Sequence, residues 1–83
     1  MAENETIEDI RASIRVRLTE VEARFKFVPP GDDLRTICAD RIDVCFEALA
    51  AGLPIPTIER LSGLSRQTLY RMNPATGEIR WVR

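Results

Sequence analysis

Apolar side chains set a rhythm over residues 7–28, where Ile7, Ile10, Ile14, Leu18, Val21, Phe25 and Val28 follow one another at steps of three and four. At about 100° per residue those steps confine the side chains to a stripe roughly 80° wide, so the spacing predicts a helix with a narrow apolar seam. Thr6 precedes it with Asp9 three positions on, the arrangement of a capping box, which sets the helix start at Ile7. The run Ile14-Arg15-Val16-Arg17-Leu18 alternates as a strand would, but only over five residues. Glu20/Arg24 and Glu22/Lys26, spaced i,i+4, add to the helical reading. Ala12, Val16, Ala23 and Phe27 draw a second, weaker apolar line on the opposite side. One side of this helix is expected to pack on its own domain and the other on a second copy, with either line as the seam between copies.

Pro29-Pro30-Gly31 ends that helix, because proline can neither continue the hydrogen-bond ladder nor tolerate a helical predecessor. Asp32 or Asp33 is the next N-cap, and Leu34, Cys38, Ile42, Cys45 and Leu49, flanked by Ile37, Phe46 and Leu53, predict a second long helix with a wider buried face. Gly52 suits the position just past its end. Leu53-Pro54-Ile55-Pro56 reads as a stiff connector, with Pro56 at the first position of a further helix. Ile58 and Leu61 belong to that short helix, and Gly63 breaks it with the positive φ a tight interhelical turn demands. Leu64 plugs the angle and Ser65 caps a last helix. Leu69 and Met72 face inward on it, Arg66, Gln67, Tyr70 and Arg71 face outward, and Thr68 lies at the edge. Two short helices about a glycine turn, the second bearing Arg, Gln and Tyr, form a helix-turn-helix.

Charge sharpens this picture. The 83 residues carry a net charge of −1, yet residues 1–53 hold 11 acidic and 7 basic side chains, whereas residues 54–83 hold only Glu59 and Glu78 against Arg60, Arg66, Arg71, Arg80 and Arg83. A basic third is carried on an acidic body, and its cations are all arginine, the side chain that forks onto phosphate and guanine. With no histidine and two cysteines, neither a usual zinc set nor His-based acid–base chemistry is available, so neither an enzyme nor a metal or organic cofactor is expected. Cys38 and Cys45 lie about 10.5 Å apart along a helix at 1.5 Å per residue, too far for a disulfide, and read as buried thiols. No run approaches the roughly 18 apolar residues of a membrane span, and the acidic start is the opposite of a signal peptide's, so a cytoplasmic protein without membrane contact is expected.

The segment Ile58-Glu59-Arg60-Leu61-Ser62-Gly63-Leu64-Ser65-Arg66-Gln67-Thr68-Leu69-Tyr70-Arg71 resembles the bacterial pattern Ile-Ala-x-x-x-Gly-Val-Ser-x-x-Thr-Leu-Tyr-Arg, found in the DNA-binding domains of the tetracycline-repressor family and of the resolvase/invertase recombinases. Residues 41–52 are more weakly similar to the supporting first helix of the repressor family. The resemblance implies that Ser65 caps the recognition helix and bonds a phosphate, that Arg66 and Gln67 reach base edges, and that Thr68, Tyr70 and Arg71 contact phosphates. Thr57, near the start of the preceding helix, is a further phosphate candidate. Two departures bear on geometry. Glu59 stands where the pattern has Ala, so that either the helix crossing opens or Glu59 bends out to solvent; Ser62 replaces an apolar or small residue and is expected to weaken packing.

Asn73-Pro74 is expected to close the recognition helix, with a turn at Ala75-Thr76-Gly77. Glu78-Ile79-Arg80-Trp81-Val82-Arg83 alternates and is either a strand on the domain or an arm along DNA; Trp81 is expected to pack on the helix-turn-helix, and Arg80 and Arg83 are phosphate candidates. The expectation is a single all-α domain: a helix within residues 1–30 for dimerisation, a supporting helix within 31–53, a helix-turn-helix within 54–73 and an extended segment at 74–83. Its expected function is sequence-specific binding of double-stranded DNA as a small homodimeric transcriptional repressor of bacterial, plasmid or phage origin. The alternative is a protein-interaction module, such as an antitoxin or phage-encoded inhibitor, that retains a helix-turn-helix and takes a protein partner.

Overall fold

The computed structural model describes residues 6–80, and the expectations for Trp81 and Arg83 lie outside them. The Thr6 hydroxyl accepts the Asp9 amide at 3.1 Å while the Asp9 carboxylate accepts the Thr6 amide at 3.3 Å, a complete capping box. Helix α1 accordingly runs Ile7–Lys26, so the alternation at residues 14–18 is not a strand. It stops short of the prolines because Val28, which precedes Pro29, is driven out of the helical region and Phe27 already leaves it. Asp33, not Asp32, caps α2, Leu34–Ala50. Past its end Gly52 takes φ +81°, and the Gly52 and Leu53 amides donate to Leu49 and Ala48 in a Schellman closure. Helix α3, Ile55–Ser62, begins one residue earlier than read, at Ile55, with Pro54 as its N-cap and Pro56 in its first turn. Helix α4, Arg66–Arg71, completes an all-α architecture.

The last helix ends earlier than the sequence suggested. Met72–Asn73 forms strand β1, paired antiparallel with β2, Glu78–Ile79, in the register Met72 to Ile79. Met72 therefore faces the core from a strand, and Asn73-Pro74 opens the hairpin turn. The C-terminal segment is a strand on the domain at Glu78–Ile79, not an arm there.

Ile14, Leu18 and Val21 of α1 are buried in the domain itself, and Leu18 has no exposure at all. The middle of the narrow seam is thus used within one chain, which removes it as a surface for a second copy. The opposite line stays open, with Val16 58% and Phe27 80% exposed. On α2 the buried face is turned from the expected one: Ile37, Val44, Cys45 and Ala48 are buried, while Leu34 is exposed and Cys38, Ile42 and Leu49 are half-buried. Arg41 lies in the middle of that face. Leu53, Ile58, Leu69 and Met72 join the core from the later elements, and each fully buried aliphatic side chain contributes about 1.5–3 kcal/mol. No helix among the described residues is long and apolar enough to cross a membrane.

Candidate nucleic-acid interface

Helices α3 and α4 owe their relative position to the turn between them. Gly63 has φ +79°, and its amide donates to the Glu59 carbonyl, closing α3. Ser62 does not loosen this turn. Fully buried, its hydroxyl accepts the Leu64 amide at 3.1 Å, and its carbonyl accepts Arg41 Nη1 at 3.2 Å. Arg41 also pairs with Glu22 at 3.2 Å, both side chains less than one-fifth exposed, and its guanidinium stacks on Phe25 at 3.9 Å. The Arg41 Nε is buried without a partner. Glu22 lies over the glycine so closely that a Cβ at position 63 would stand 2.9 Å from its carboxyl carbon. Helices α1 and α2 thereby grip the turn through one ion pair. The i,i+4 pair expected between Glu22 and Lys26 is replaced by this contact, and Arg24 turns from Glu20 to Asp32 and Asp40 at 3.5 and 3.8 Å. Beside the turn, burial pushes the Cys45 thiol up, against the Ser62 hydroxyl and the Arg41 charge, which pull it down.

The Ser65 hydroxyl accepts the Thr68 amide at 3.2 Å and shares a 2.9 Å hydrogen bond with the Thr68 hydroxyl, which fixes the first turn of α4. Arg66, Gln67 and Tyr70 project into solvent from one side of that helix, and Leu69 anchors the other. Tyr70 is 70% exposed. Arg71, expected to point outward, is half-buried, and its carbonyl accepts the Arg80 amide at 2.8 Å, so the hairpin holds the end of α4. Six of the seven candidate residues, Ser65, Arg66, Gln67, Thr68, Tyr70 and Arg71, therefore lie on α4 or its cap. Thr57 is apart, half-buried in the first turn of α3 with its amide bonded to the Pro54 carbonyl. Glu59 resolves differently from a plain turn to solvent, because its carboxylate accepts Arg66 Nη2 at 3.2 Å across the two helices. Sequence reasoning missed this pair, although both residues stood in the motif it quoted.

No three His, Cys, Asp or Glu side chains among the described residues are grouped to hold a metal ion. What the site offers is a row of donors. Arg66 and Gln67 present the forked and bidentate hydrogen-bonding groups that suit guanine and adenine edges, and Tyr70 and Arg71 flank them. No protein-family model matches this chain, and no curated protein or solved structure matches it.

Proposed function

We propose that the chain is a sequence-specific double-stranded-DNA-binding protein of the cytoplasm, acting as a small homodimeric transcriptional repressor of bacterial, plasmid or phage origin. The observation that carries this reading is the exposed face of α4, where Arg66, Gln67 and Tyr70 project from a helix held by a glycine turn and a serine cap. Such a helix enters a major groove with its N-terminal residues first. Arg66 and Gln67 read base edges, and Thr57, Ser65, Thr68, Tyr70 and Arg71 take the phosphates. The helix-turn-helix resemblance at residues 58–71 supports the same reading. A single module of this size buries only about 600–1,000 Å² on DNA, so a second copy supplies the second half-site. The open Val16 and Phe27 line of α1 supports pairing of copies. Binding, with no bound cofactor, is the whole of the activity.

Selection of bound fragments from a pool of random-sequence duplexes tests the reading. An enriched inverted repeat is the expected result, and a pool that stays random after repeated rounds contradicts it. The reading as a protein-interaction module draws on Phe27, Val28 and Leu34, three exposed apolar side chains around the connection from α1 to α2. Recovery of a stoichiometric protein partner together with an unenriched pool would favour it.

A further inference from the structure

The Glu59–Arg66 pair puts a carboxylate on the very guanidinium that faces outward from the start of α4. Nη2 of Arg66 donates to Oε1 of Glu59 at 3.2 Å, and the side chains are 52% and 38% exposed. Paired in this way, the Arg66 charge is directed to a carboxylate and not to a phosphate brought to this face; the carboxylate also repels phosphates within about 8 Å at physiological salt, whatever their sequence. Residues 54–83 contain only two acidic residues, and one of them is placed on this arginine. Screened ion pairs of this exposure are worth at most about fivefold in an equilibrium, whereas a bidentate Arg–guanine contact discriminates by about five- to 150-fold. The pair is therefore strong enough to compete with one phosphate and too weak to compete with a well-placed guanine.

We propose that Glu59 is a specificity-determining residue: it holds the Arg66 guanidinium away from phosphates on arbitrary DNA and releases it to a guanine edge presented in register. This rests on the DNA-binding reading above. In the sequence-independent complex Arg66 stays on Glu59 and adds little to affinity. In the specific complex the fork of Arg66 turns to guanine O6 and N7. Glu59 thus lowers affinity for random sequence more than for the selected one and widens the ratio between them.

A double-mutant cycle on the full-length protein tests this, using a random-sequence duplex and the most enriched duplex from the selection, each titrated at several salt concentrations. Glu59→Gln keeps the side-chain shape and removes the charge. It should raise affinity for the random duplex about two- to fivefold and steepen the slope of log K against log salt by about 0.9 per copy, as Arg66 becomes free to meet a phosphate. The ratio of selected to random affinity should fall. Glu59→Ala, which a helix accepts readily, should change both in the same direction. In an Arg66→Ala background Glu59→Gln should leave the ratio of selected to random affinity unchanged, because an unpaired carboxylate repels both duplexes alike. A fall of that ratio as large as in the parent background means that Glu59 acts without Arg66 and overturns the proposal, as does a random-duplex affinity that Glu59→Gln leaves unchanged in the parent. If the parent protein binds both duplexes weakly and without salt dependence, the DNA-binding reading itself fails, and the proposal with it.

Discussion

Glu22 on α1 and Arg41 on α2 meet at 3.2 Å over the turn that separates α3 from α4, and Arg41 passes a second hydrogen bond to the Ser62 carbonyl at 3.2 Å. Two helices that never touch the solvent face of α4 thus determine how it is presented. The pair is largely buried, so its worth lies less in net attraction than in the cost of breaking it.

Removing one partner leaves the other charge uncompensated. Glu22→Ala or Arg41→Ala should destabilise the fold by about 2–3 kcal/mol, below the figure for fully buried pairs because some solvent reaches both side chains. Arg41→Met, which keeps an apolar stem against Phe25, should cost less than Arg41→Ala if Glu22 is replaced by Gln in the same chain. Urea unfolding with an unchanged slope and a lowered midpoint is the expected signature.

The glycine of the turn is held by two constraints, and they can be separated. Gly63→Ala meets both a φ of +79° and the Glu22 carboxylate, whereas Gly31→Ala and Gly77→Ala meet only their φ values of +87° and +72°, with open space around the added carbon. The latter two should cost about 1–2 kcal/mol, the ordinary left-handed penalty, and Gly63→Ala distinctly more. Equal losses at all three positions would show that Glu22 yields freely.

The two apolar lines of α1 should respond in opposite ways. Ile14 is 4% exposed, so Ile14→Asp should unfold the single chain at a cost of several kcal/mol. Phe27 is 80% exposed, so Phe27→Asp should leave stability within about 0.5 kcal/mol. If the outer line joins two copies, light scattering should find the Phe27→Asp protein monomeric where the parent is dimeric. A parent that is already monomeric at tens of micromolar removes the homodimer from the account.

How far the sequence reaches is clear from these same residues. The capping box, the glycine turn and the serine cap were legible because each is a local chemical signature, settled within four residues of chain. The face of α2 was misread because Arg41 interrupts its apolar line, and what makes an arginine tolerable there is Glu22, 19 residues away. The end of α4 was misplaced for a similar reason: Met72 leaves the helix to pair with Ile79, a partner that helical periodicity does not reveal. At the candidate site the outward residues were legible as donors, but the Glu59 contact with Arg66 depends on the angle between two helices and not on spacing.

Acid should weaken one contact between α1 and α2 selectively. The hydrogen bonds from Arg17, at 2.9 and 2.6 Å, hold the Glu47 carboxyl below its ordinary range. A carboxylate so lowered adds stability above its unfolded value and loses it as pH falls through the folded one. Both side chains are nearly half exposed, so Glu47→Gln should cost less than about 1 kcal/mol at neutral pH. The difference between parent and variant should fade on acidification below the ordinary glutamate range; a difference that grows there would reverse the sign.

Contact between the face of α4 and DNA would show in the salt dependence of binding to the selected duplex. If each copy sets about three to five basic groups on phosphates, a dimer neutralises roughly six to ten, and log K should fall against log salt with a slope near −0.9 times that number. Arg71→Ala should weaken all duplexes alike and flatten the slope by about two units per dimer, whereas Arg66→Ala should mainly alter base preference. A slope near zero for the parent, unmoved by Arg71→Ala, would mean that the arginines of this face do not meet phosphates.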